Sequence, residues 1–255
     1  MAPSAVNEVY NQDANEFQVK RKHRRQVDRQ VTAVLLTLLF FGFLALVIGW
    51  LIVASIIDRR REQERTRQML NVAGLLGWQF AEVAGLNWIP NLEQFALFSQ
   101  GHSKRIRNAM YGEIDGVKAA VFDYFYTVGH GKNQTRFNQS VIYFEPRNLN
   151  APFFSLRPEH TFHKIISAFG YQDIDFGNHP IFSGQYLLRG PDEQSVRKLF
   201  SDALLGFYEM NKGTSTDGGG NQLFIFRQNS RPSPHETQAY LNWALQLQRL
   251  FASRS

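Results

Sequence analysis

From Val31 to Ile57 the chain reads VTAVLLTLLFFGFLALVIGWLIVASII, 27 residues without a charged side chain. As a helix rising 1.5 Å per residue this run is about 40 Å long, more than the roughly 30 Å hydrocarbon core of a bilayer requires. A helix buried in a globular core seldom stays apolar on every face for so many turns. The flanks, KRKHRR before and DRRRE after, place cations where the chain would meet lipid headgroups. A secretory signal has an apolar region of about 7 to 15 residues near its start and small residues after it. Here 30 residues come first and an arginine run follows, so the run is read as a retained transmembrane helix.

Orientation follows from the loops. Residues 1–30 carry six Lys/Arg and residues 58–67 carry five, nearly a tie under the positive-inside rule. A short basic tail resists crossing, whereas large domains translocate largely regardless of charge. The expectation is a single-pass protein of a bacterial plasma membrane, with the N-terminus cytoplasmic and the C-terminal domain outside.

Charge and composition narrow the partners. The net charge is +6, but after residue 67 there are 17 Lys/Arg against 15 Asp/Glu. The basic excess lies beside the apolar run, and a nucleic-acid partner, which calls for a basic face on the folded domain, is not expected. Expected partners are the lipid bilayer, anionic headgroups at the basic flanks, and an unidentified protein. The chain has no cysteine, which excludes disulfides, cysteine zinc sites and thiol nucleophiles. No cofactor is assigned.

Four segments are read along the chain. Residues 1–30 lack apolar periodicity and read as a flexible basic tail. Residues 31–57 form the span. Residues 58–85 place Leu70, Ala73, Gly77, Phe80, Ala81 and Ala84 at helical spacing, an amphipathic connecting helix closed by Gly85. Residues 86–255 form the soluble domain. Within it, residues 121–126 and 141–144 alternate as strands around the loop GHGK, which lacks the glycine spacing of a phosphate loop. FFSLR, QYLLRG and QLFIFR read as further strands. Helical spacing is found from Pro158 to Phe169, through PDEQSVRKLFSDALLGFYEM, and from Ser233 onward. NKGTSTDGGG, residues 211–220, reads as a mobile loop. Strands grouped with a few helices, without regular alternation, give an α+β class with an antiparallel sheet.

Candidate chemistry concentrates in residues 157–189. His160 and His163 are i, i+3 neighbours on the expected helix and, with His179, are candidate metal ligands. The spacing differs from H-E-x-x-H, so the zincin mechanism does not apply. Glu159, His163, Asp173 and Asp175 are candidate acid–base groups. The competing reading makes Glu159 a helix cap and the aspartates acceptors for turn amides.

The strings FDYFYTVGHGK, LRPEHTFHK, FGYQDIDF, HPIFSGQYLLRGPDE and VRKLF resemble an uncharacterised group of mostly bacterial proteins with an N-terminal membrane anchor. The resemblance covers residues 111–207 and transfers no functional residues. It implies that the polar segment belongs to a recurring domain. The sequence therefore describes a membrane-tethered binding or scaffolding module. The alternative is a membrane-anchored hydrolase or metal-dependent enzyme using residues 157–189.

Overall fold

A computed structural model describes residues 4–159 and 172–252. Helix α1 runs Ser4–Leu76, so the expected flexible tail is helical from Ser4 onward. The chain divides into two compact units, Met1–Glu62 and Gln63–Ser255. In the first, the helix has one stretch long and apolar enough to cross a membrane. Its large side chains are open to the surroundings, Leu46 at 74% and Trp50 at 69% exposure, as a lipid-facing surface requires.

The second unit begins with the last turns of α1, where Met69 and Ala73 are buried in the core. Gly77, at φ +68°, ends the helix in the left-handed conformation that glycine adopts without penalty. The expected helix therefore stops short of Ala84. Residues Gln79–Ala84 form strand β1 instead.

The order continues with a 3₁₀ turn Leu92–Gln94, short helix α2 (Ala96–Ser99), β2 (His102–Ile114), β3 (Val117–Val128), a 3₁₀ turn Gly131–Asn133, β4 (Thr135–Glu145) and β5 (Ala151–Pro158). Then come α3 (Pro180–Ser183), β6 (Tyr186–Arg189), α4 (Glu193–Leu199), α5 (Asp202–Met210), β7 (Thr214–Gly220), β8 (Gln222–Arg227), a 3₁₀ turn Pro234–Glu236 and α6 (Thr237–Ala252). The eight strands make one sheet in the order β1-β2-β3-β4-β8-β7-β5-β6, and every pairing is antiparallel. The α+β class holds.

Both faces of the sheet are covered. On one, Ala119, Val121, Ile142, Phe144, Leu223 and Ile225 pack with the foot of α1 and with α4, α5 and α6 through Val196, Leu204, Leu241 and Phe251. On the other, Phe122, Tyr124, Tyr126, Val141 and Phe224 pack under residues 89–98. With two buried faces, the central strands read as continuous apolar runs rather than alternating ones.

Three local readings change. Pro158 pairs with Tyr186 at the end of β5, so the helix proposed to start there does not include it; from His160 onward that expected helix, with His163, lies outside the described residues. The expected single helix after Pro191 is two, because Asp192 and Ser201 each cap a separate start by accepting from Ser195 N and Leu204 N. The expected mobile loop is β7, an interior strand buried from Thr214 to Gly219. Its glycines are needed because Phe154 packs on Gly218 and Phe153 on Gly219, where any Cβ would collide with the rings.

Candidate functional site

The polar segment singled out in the sequence separates into distinct roles. Asp173 is half-buried and accepts hydrogen bonds from Ile174 N at 3.0 Å and Leu188 N at 2.8 Å, tying the preceding chain to β6. Burial pushes its carboxyl above the ordinary value, and the two amides oppose that rise. Asp175 is exposed, and its backbone oxygen accepts from Arg197 at 2.5 Å. His179 lies between Glu209, 3.3 Å from Nδ1, and Asp202, 3.4 Å from Nε2. Glu159 N donates to Gln185 O at 2.9 Å, and the residue lines an open pocket.

That pocket, about 500 Å³, is lined by Pro158, Glu159, Gly184, Gln185, Tyr186, Lys212 and Gly213. Tyr186 is buried there, with its hydroxyl donating to Asn211 O at 3.1 Å. Burial pushes its pKa up to about 12. The phenol therefore stays protonated at physiological pH. Among the described residues, no three His, Asp or Glu side chains stand close enough together to hold a metal ion.

The strongest electrostatic features were not singled out from the sequence. They are two buried arginine–carboxylate pairs, one on each face of the sheet. On the α1 face, Asp123 of β3 is fully buried. Arg65 of α1 donates from Nε at 2.7 Å and Nη2 at 2.9 Å to its two oxygens, and from Nη1 to Pro232 O at 2.8 Å. Asn108 Nδ2 at 2.9 Å and Ser140 Oγ at 2.7 Å also donate to the carboxylate, while Thr66 donates to Asn108 Oδ1 at 2.8 Å. Burial alone would raise the Asp123 pKa. The hydrogen bonds and charge of Arg65, joined by Asn108 and Ser140, outweigh it and hold the carboxyl below its ordinary value. The foot of the long helix is therefore clamped to the centre of the sheet.

On the opposite face, Arg157 of β5 meets Asp217 of β7, with Nη1 2.7 Å from Oδ1 and Nη2 donating to Oδ2 at 2.8 Å. Its guanidinium lies over Phe226, 4.8 Å from the ring centroid. Leu97 N of α2 donates to Asp217 Oδ2 at 2.7 Å, so this pair seats the short helix on the sheet. The available signal was a charged residue inside an otherwise apolar strand, as in VFDYFY.

The fold and these features together define a class: an α+β domain built on one eight-stranded antiparallel sheet, following a helix long and apolar enough to cross a membrane. No protein-family model matches the chain, and no curated protein matches it. Among solved structures, the mycobacterial trehalose monomycolate transport factor A, TtfA, shares the fold with a TM-score of 0.51 over 74% of this chain and 92% of that chain, at 13% identity. At that identity the similarity speaks to the fold.

Proposed function

We propose that the chain is a single-pass membrane protein whose α+β domain serves as a binding and organising factor in the transport of an envelope glycolipid. The observation that carries the reading is the fold shared with TtfA, a transport factor for trehalose monomycolate, over nearly all of that chain. The apolar helix supports it, since a factor acting on lipid needs to be held at a bilayer. So does the clamp at Arg65 and Asp123, which ties the foot of that helix to the sheet. The domain lies outside the membrane and the N-terminus inside.

Depletion of the protein in its native host, with pulse-labelled glycolipid, tests the reading. Labelled lipid is expected to accumulate in the inner membrane and fall in the outer layer, with recovery on return of the full chain but not of residues 63–255 alone. An unchanged distribution after depletion overturns it.

A further inference from the structure

Within the domain, α1 enters at one particular end of the sheet. Arg65 sits over Asp123, and Met69 and Ala73 lie in the cluster that holds Ala119 and Val121. The helix thus runs antiparallel to β3, and the chain arrives from the side of Val128. That end carries the start of β2, the β3–β4 hairpin and the end of β8. In sequence these are QGHSKR (100–105), GHGKNQTR (129–136) and RQNSR (227–231), with six Lys/Arg, two His and no Asp or Glu.

The segments converge. The rings of His102 and His130 are 5.4 Å apart, and Arg105 and Arg231 both lie over Phe125, 6.0 and 5.2 Å from its centroid. Arg105, Lys132 and Arg136 are exposed and make no ion pair among the described residues. The far end is different, because its charges neutralise one another: Lys118 with Glu145 at 3.3 Å and Arg249 with Asp115 at 2.6 Å. A domain that is nearly neutral in sum therefore presents, beside the Arg231–Asp123 pair, three exposed cations, Arg105, Lys132 and Arg136, gathered at one end.

We propose that this cationic end, centred on Arg105, Lys132 and Arg136, is a docking surface for the anionic headgroups of the bilayer that anchors the chain. Ile57, the last of the apolar run, and Arg65 are eight positions apart, at most about 28 Å of chain even when fully extended. The covalent tether thus lets this end reach the headgroup layer, where an anionic surface attracts Lys and Arg over roughly a Debye length of 8 Å. The hairpin tip, with Gly129 and Gly131 at positive φ, supplies small and polar residues suited to a wet interface. The inference rests on the membrane-anchored part of the proposed function and is independent of what is transported.

The cysteine-free chain allows a single reporter. The full chain carrying Asn133→Cys with an environment-sensitive fluorophore is placed in nanodiscs of neutral phosphatidylcholine or with 30 mol% (about one lipid in three) phosphatidylglycerol. Incorporation in the nanodisc, read by co-elution, checks the anchor separately. In anionic discs the fluorophore is expected to blue-shift and lose quencher access. High salt should reverse the change, while the same label at Asn221→Cys, at the far end, stays unaffected. Each cation removed is expected to weaken the surface preference about fivefold, so R105Q/K132Q/R136Q should abolish the shift while the far-UV spectrum stays native. Equal signals in neutral and anionic discs overturn the proposal. So does a shift produced in neutral discs by inorganic phosphate alone, which would mark a soluble-anion site.

Discussion

Replacement of Arg65 by leucine tests whether the foot of the long helix is held by charge rather than by apolar packing alone. The substitution leaves the Asp123 carboxylate, fully buried, with Asn108 and Ser140 as donors and Arg231 as the nearest remaining cation at 3.7 Å. At an effective dielectric near 20, a pair of charges about 4 Å apart interacts by about 4 kcal/mol, and stranding one partner of a buried pair costs about 3 to 5 kcal/mol. Arg231 recovers part of this, so about 3 kcal/mol is expected. In urea, followed by tryptophan fluorescence of the full chain in mild detergent, a slope of about 2 kcal/mol/M converts that to a midpoint about 1.5 M lower. Because Arg65 holds the Asp123 pKa below its ordinary value, the wild-type contribution is fully present above about pH 4 and is lost as pH falls through the depressed value. Without Arg65, burial is opposed less and the carboxyl rises, so the deficit of the variant should shrink as pH falls from 7 towards 4. The double variant R65L/D123N should be more stable than the sum of its single changes by at least about 2 kcal/mol. Additive losses, or a deficit that does not change with pH, would refute the reasoning.

Arg157→Leu should cost about 3 kcal/mol by leaving Asp217 buried with the Leu97 amide as its remaining donor, and amide exchange near α2 should accelerate most. Gly218→Ala should destabilise by about 1 to 3 kcal/mol in the same urea assay, since the added methyl meets the Phe154 ring and Leu223. Tyr208→Phe removes the hydroxyl bonded to Thr216 Oγ1 at 2.7 Å and should cost about 1 kcal/mol. Leu46→Arg, in the middle of the apolar run, should raise the insertion free energy by about 3 kcal/mol and lower the membrane-bound fraction of the full chain on fractionation.

The sequence disclosed what repeats along the chain and hid what depends on partners far away in it. The apolar run and the strands around Phe122, Val141, Leu188 and Ile225 were legible because burial writes itself into composition. Phe80, Ala81 and Ala84 keep a helical period, but Gly77 ends the helix and β2 provides a strand for these residues to pair with. Thr214–Gly220 looked like a loop because its glycines and hydroxyls suit turns. It is an interior strand whose glycines are required by the phenylalanines of β5, 64 positions from Phe154 to Gly218 in the chain. The same remoteness concealed the ion pairs: Asp123 and Arg65 are separated by 58 positions, Arg157 and Asp217 by 60. Among the proposed site residues, Glu159, Asp173, Asp175 and His179 form no joint constellation. Asp173 bonds backbone, His179 bonds helix α5, and Glu159 lines a pocket. Polar density in a sequence marks where strands and helices join as readily as it marks a reaction.

Membrane retention of the uncleaved chain is the most direct measurement of the central claim. After expression, membranes are washed with alkaline carbonate, and pellet and supernatant are probed with one antibody to the first residues and one to the domain. The account predicts a single full-length species, seen by both antibodies, in the carbonate-resistant pellet. Release into the supernatant, or a shortened species that has lost the N-terminal epitope as a cleaved signal would, contradicts it.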